Sequence, residues 1–107
     1  MKTNDIPLGG AIASFLVAKE RKKVRFMYRE RPDNEHDSGW RFFSGDEDQE
    51  FSDQPSNFAI YALNTIVEID PDIVPFLSSP APCAFERRRD DQPFLEARGF
   101  EFQAEEK

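Results

Sequence analysis

The sequence holds one cysteine, one histidine and one tryptophan, and each scarcity closes off a class of chemistry. Cys83 has no partner for an intrachain disulfide, so nothing calls for an oxidising compartment. Its setting, Pro82-Cys83-Ala84-Phe85, is apolar, which reads as a small buried side chain rather than a nucleophile. His36 stands in a loop beside Asp37 and Ser38; three triad letters adjacent in sequence do not converge in space, so a Ser-His-Asp site is not expected. Glycine is sparse, and Gly9-Gly10 stands apart from any Walker or dinucleotide pattern. Long hydrophobic runs are missing too. Ala11 to Ala18 is the longest, interrupted by Ser14 and far too short to span a bilayer. The first residues, Met1-Lys2-Thr3-Asn4-Asp5, show no signal-peptide pattern. A cytoplasmic protein, without membrane contact, is expected.

What the chain has is charge, unevenly placed. Its net charge is −7, and all of it lies between Glu30 and Asp53. Nine acidic residues there (Glu30, Asp33, Glu35, Asp37, Asp46, Glu47, Asp48, Glu50, Asp53) face only Arg31 and Arg41. Elsewhere acids and bases cancel. The sequence pI near 4.7 sets the chain against nucleic acid and anionic lipid, which would repel it. It leaves room for a basic protein partner. The 107 residues, with eleven phenylalanines, are enough for one domain with a small core.

Pattern gives an α+β reading: a mostly antiparallel sheet with two short helices in one connection. Ala11 to Val17 suits a strand as well as a helix in content, and its length and the two leading glycines favour the strand. Val24 to Arg29 alternates, with Val24, Phe26 and Tyr28 on one face and Arg25, Met27 and Arg29 on the other. Pro32 to Ser38 is a loop. Trp40 to Phe43 is a short strand in which Trp40 and Phe42 share a face and Arg41 takes the other. Gly45 ends it, and Asp46 to Pro55 is an acidic loop. Asn57 to Leu63 forms a strand with Phe58, Ile60 and Ala62 on one side. Asn64 is the expected N-cap of a helix to Ile69. Asp70-Pro71 opens a second helix, to about Leu77, which buries Ile73, Phe76 and Leu77. Ala84 to Arg87 and Phe94 to Phe102 return as edge strands.

No cofactor or metal is expected. Asp46-Glu47-Asp48-Gln49-Glu50 begins like a calcium loop, but Phe51 stands where glycine is required and Asn57 where a bidentate glutamate belongs. Arg87-Arg88-Arg89 is offset by Asp90 and Asp91 and reads as a solvated turn. Two features remain. Trp40 is either core, the commoner fate of a strand aromatic, or an interface anchor beside the acidic loop. The bases from Lys19 to Arg31 either neutralise that loop, through Arg25, Arg29 and Arg41 on the outer sheet face, or form a two-signed docking surface with it. Compensation is the plainer reading.

The block Asp37-Ser38-Gly39-Trp40-Arg41-Phe42-Phe43-Ser44-Gly45-Asp46-Glu47-Asp48 carries a resemblance. So, in order, do Gly9-Gly10-Ala11-Ile12, Val24 to Arg29, Asn64-Thr65-Ile66 with Asp70-Pro71, and Ser79-Pro80 leading to Ala84-Phe85-Glu86-Arg87. Together they resemble a bacterial domain, first catalogued without a function and later placed among the immunity proteins of polymorphic toxin systems as class thirty-three. The likeness spans residues 8–87 of a single domain, with 88–107 as a C-terminal extension. The family's glycine pair and tryptophan-glycine signature fall on Gly9, Gly10, Gly39 and Trp40; Pro82 and Cys83 stand where a Gly-Ser pair is common.

The resemblance implies an α+β fold and a role in neutralising a cognate toxin inside the producing cell. It supplies no catalytic residue. Charge placement then nominates Asp46, Glu47, Asp48 and Glu50 as carboxylates for a cationic cleft on the toxin. Trp40, Arg41 and Phe43 would supply the contact beside them. The alternatives are a housekeeping protein-binding domain without a toxin and, last, an enzyme built on Cys83 or His36.

Overall fold

A computed structural model describes residues 9–97. Six strands form one mixed sheet: β1 (Gly10–Ser14), β2 (Phe26–Arg29), β3 (Asp37–Phe43), β4 (Phe58–Ala62), β5 (Cys83–Glu86) and β6 (Leu95–Glu96). Their order is β4-β1-β3-β2-β5-β6. Only the β1–β3 pair is parallel; the other neighbours are antiparallel. The α+β expectation holds, and the sheet is mostly antiparallel. The helices α1 (Phe15–Ala18), α2 (Gln49–Ser52) and α3 (Leu63–Ile69) are short, and two 3₁₀ turns cover Pro55–Asn57 and Pro71–Phe76. As expected, α3 and the second 3₁₀ segment share the β4–β5 connection.

Local chemistry explains where the elements begin and end. The run expected as a strand from Ala11 to Val17 breaks at Ser14, whose Oγ accepts from the amide of Val17 and caps α1. A serine inside an apolar run is a helix-start signal, and it overrides the strand reading. Asn64 does not cap α3. The helix starts two residues earlier, with Ala62 as its cap and no side-chain cap bond, and Leu63, Ile66 and Ile69 face the core. The Asp70-Pro71 start holds: Asp70 accepts from the amide of Asp72. The segment that follows is 3₁₀, with Pro75 inside it, where proline removes a donor that an α-helix would need. The return strand expected over Phe94 to Phe102 is found as Leu95–Glu96; residues 98–102 lie outside the described range.

One sheet face carries the core. Ala11, Ala13, Met27, Trp40 and Phe42 are fully buried beneath Val17, Leu63, Ile66, Ile69, Ile73 and Leu77. The small side chains on β1 let α1 and α3 lie close to the sheet. On β2 the buried residue is Met27, with Phe26 and Tyr28 half-buried on the opposite side. Arg29 shares the side of Met27, and its guanidinium lies 5.8 Å from the Trp40 ring. The outer face, by register, carries Ile60, Ile12, Arg41 and Tyr28 in one row, with Phe58, Ser14, Phe43, Phe26 and Glu86 in the next. No helix among the described residues is long and apolar enough to cross a membrane.

Between β1 and β3 the register slips: Gly10 opposes Asp37, but Ile12 opposes Arg41. Gly39 absorbs the slip at φ +89, with the carbonyl of Glu30 so close to where a Cβ would stand that no side chain fits. Ser38 bridges the gap, donating to Gly10 O at 2.8 Å while accepting from Trp40 N at 3.1 Å. The slip adds two residues on β3, so alternation is kept: Asp37 and Arg41 share the outer side while Trp40 faces inward.

Candidate functional site

The seven nominated residues do not form one surface. Trp40 is 0% exposed. Its indole donates to Leu77 O at 3.1 Å and stacks on Phe42 with centroids 5.9 Å apart. It is core, as the commoner reading held, and offers no contact surface. Phe43, paired with it in the interface proposal, lies on the other side of the sheet, because odd and even residues of a strand face opposite ways.

Arg41 points outward yet is only 2% exposed. Its guanidinium donates to both oxygens of Asp37 at 2.9 Å and to Glu30 at 2.7 Å. Hydrogen bonds from Arg41 hold the Asp37 carboxyl far below its ordinary range. Burial works against the charge of Arg41, but the bonds to Asp37 and Glu30 outweigh it and push its pKa up. Arg41 is thus a satisfied structural ion, and it is Asp37 and Glu30 that it neutralises. Arg29 does not neutralise the acidic loop, and Arg25 does so only at a distance, through the field of Asp46. Arg25 pairs with Asp90 at 2.9 Å, and Arg29 donates to the carbonyls of Ser38 and Ser79. Lys22 forms the one ion pair to the loop found among the described residues, at 3.4 Å from Asp46.

The loop divides into structural and displayed carboxylates. Glu47 turns inward and is clasped by four donors: the hydroxyls of Ser14 and Ser44 and the amides of Ser44 and Gly45. It ties β1 to the end of β3. Asp48 caps α2 through the amide of Phe51 at 2.8 Å, though the side chain stays exposed. Asp46 and Glu50 are exposed; Glu50 makes no hydrogen bond or ion pair among the described residues. Beside them runs a ladder of half-buried rings on the outer face. Tyr28 stacks on Phe43 at 5.9 Å, Phe43 meets Phe58 edge-on at 5.8 Å, and Phe58 meets Phe51 at 5.8 Å. At the sheet edge Ile60 is 76% exposed. A groove of about 310 Å³ runs between Ile60 and Ile12 on one side and Asp33, His36 and Asp37 on the other.

A match to the immunity protein Imm33 domain covers residues 11–98. The chain belongs to this family. The matched range runs through β6, takes in Gly39 and Trp40, and begins just after Gly9 and Gly10. Neither a curated protein nor a solved structure matches the chain. In this Imm33 domain Gly39 and Trp40 do architectural work: Gly39 accommodates the bulge at the β1–β3 seam, and Trp40 is buried in the core beside it. Gly9 is similarly constrained, at φ +117 with the carbonyl of His36 2.6 Å from where a Cβ would stand.

The remaining chemistry is muted. Burial pushes the Cys83 thiol up, away from a thiolate. His36 is exposed, its ring 3.7 Å from Glu35. No cluster of potential metal ligands exists among the described residues. Arg87, expected to be a solvated turn, is instead buried and pairs with Asp70 at 2.6 Å. Sequence reading also passed over Ile60: it recognised a strand face, while exposure depends on β4 being the sheet edge, a long-range fact.

Proposed function

We propose that this Imm33 domain binds a protein toxin and neutralises it by surface complementarity, in the cytoplasm of the cell that makes both. It transforms no substrate. The observation that carries this reading is the pairing of displayed carboxylates, Asp46, Asp48 and Glu50, with an outer-face ladder of half-buried rings at Phe43, Phe58 and Phe51. Rings supply contact area that can be desolvated; carboxylates steer a cationic partner and set its orientation. A toxin with a cationic substrate cleft presents the complementary surface, where carboxylates take the place of substrate phosphates. Nucleic acid would be repelled by the same field.

The test is capture of a toxin-like protein encoded beside this gene, followed by titration with Asp46→Lys and Glu50→Lys together. These two carboxylates hold no structural hydrogen bond, unlike Glu47 and Asp48. Binding should weaken by about tenfold or more at low salt, chiefly through slower association. An unchanged dissociation constant removes the acidic segment from recognition, and failure of the wild type to bind removes the toxin reading.

A further inference from the structure

Among the described residues the outer edge of β4 is an open half-ladder. The amide of Leu63 donates to Gly9 O at 3.2 Å, which makes Gly9 and Leu63 a hydrogen-bonded pair. Along the antiparallel register, Ala11–Tyr61 and Ala13–Ala59 are then bonded pairs, and Ile12–Ile60 and Gly10–Ala62 are not. The backbone groups of Phe58, Ile60 and Ala62 therefore point away from β1. Phe58 N–H is taken by Pro55 O. The Phe58 carbonyl, both backbone groups of Ile60 and the Ala62 amide remain, and no hydrogen bond among the described residues reaches them.

Natural sheet edges are guarded by lysine, proline, inward charge or a covering element. The β4 sequence, Phe-Ala-Ile-Tyr-Ala, has no charge and no proline, and it displays Ile60. Its surroundings have one sign. No lysine or arginine stands between Arg41 and Arg87. The exposed carboxylates Asp48, Glu50 and Asp53 precede the Phe58 end of the strand, while exposed Asp33 lines the groove beside Ile60, next to an Asp37 already paired with Arg41. A second copy of this chain would bring like charges together at such an edge, whereas a basic chain would not.

We infer that β4 accepts an extended strand from a basic protein partner, which joins the sheet beyond Ile60. The pattern that fits is basic–x–apolar–x–basic. The central side chain lies against Ile60 and the groove, and the outer two face the carboxylates at either end. Main-chain bonds supply affinity and the alternate side chains supply specificity. The inference rests on the toxin-binding reading for the partner's biological identity, but not for its chemistry.

Two probes separate the two ideas. The first is a capped Lys-Thr-Val-Thr-Lys peptide titrated into the labelled full chain and followed by amide NMR. Shifts centred on residues 58–62, absent with the Glu-Thr-Val-Thr-Glu peptide, are expected; no shift there overturns the inference. The second probe is the captured toxin, tested against Ile60→Pro. This change deletes an outward donor and leaves the β1 ladder intact. A loss of about tenfold or more is expected for the donor and the displaced carbonyl contact. Should Ile60→Pro fail to fold, Ile60→Lys keeps the backbone and sets a like charge against the partner, with a similar loss expected. Undiminished toxin binding by the folded variant overturns the edge assignment while leaving toxin binding in place. Peptide binding without toxin binding does the reverse. In the free chain the Ile60 amide should exchange quickly. Slow exchange, or a dimer that Ile60→Pro dissolves, would mean that the chain's own residues or a second copy occupy the edge, and would overturn the choice of partner.

Discussion

Replacing Asp70 with asparagine isolates the most consequential charge in the fold. Asp70 is fully buried and its carboxylate accepts from the amide of Val24 at 2.9 Å, the amide of Asp72 at 3.1 Å and Nη2 of Arg87 at 2.6 Å. Arg87 is held further by Val24 O at 2.9 Å and by the Phe94 ring at 4.3 Å. The cluster joins the approach to β2, the 3₁₀ segment and β5. An asparagine keeps the shape, but it turns an NH₂ toward one of these donors and leaves Arg87 without its buried counter-ion. Breaking such a pair costs roughly 3–5 kcal/mol. Asp72 stays 2.9 Å from Arg87 and is half exposed, so the lower end, about 3 kcal/mol, applies here. Small domains have only about 5–15 kcal/mol in total, and at several degrees per kcal/mol the midpoint should fall by more than about 10 °C. Urea and thermal unfolding followed by circular dichroism measure it. Asp72→Asn is the control and should cost under about 1 kcal/mol. Adding Arg87→Met to Asp70→Asn should recover part of the loss, since it removes the orphaned charge. A loss below about 0.5 kcal/mol for Asp70→Asn, within the range of ordinary surface changes, would refute the assignment of Asp70 as the structural counter-ion.

Other outcomes follow from the same geometry. Asp37 titrates in the folded state far below its ordinary 3.8, so its bond to Arg41 stabilises the protein above that value, and the contribution is lost as the pH falls below about 4 toward the folded pKa. Asp37→Asn should flatten the acid limb of a stability–pH curve; an unaltered limb would contradict this. Glu47→Gln weakens four bonds to one carboxylate and should cost about 1–3 kcal/mol, read as a lower urea midpoint with toxin affinity changed only through folding. Gly39→Ala places a methyl group against the Glu30 carbonyl in a left-handed backbone and should cost more than about 1 kcal/mol, whereas an exposed glycine at a free turn would lose less.

The sequence made the fold class legible because its strands alternate and its breakers are strong. Asp70-Pro71 announced a capped start, and the parity of residues 40 to 43 separated Trp40 and Phe42 from Arg41. The same parity placed Phe43 away from Trp40, so the paired anchor was already inconsistent with the strand that carried it. Ser14 misled because its flanks read equally well as strand or helix, and only the capping bond decides. The acidic stretch looked uniform in one dimension. In three dimensions Asp37 and Glu30 serve Arg41, Glu47 serves two serines, and Asp46 and Glu50 remain displayed. No spacing rule separates these roles: Arg41 lies four residues from Asp37 but eleven from Glu30, and Glu47 reaches both nearby Ser44 and distant Ser14. Edge position was similarly invisible, because β4 becomes an edge only through the order of all six strands.

Hydrogen exchange of the Imm33 domain with and without its captured toxin tests the central claim most directly. Protection should appear at residues 46–53 and 58–62, with the helical side around α3 and residues 71–76 unchanged. Protection confined to that helical side would contradict the account.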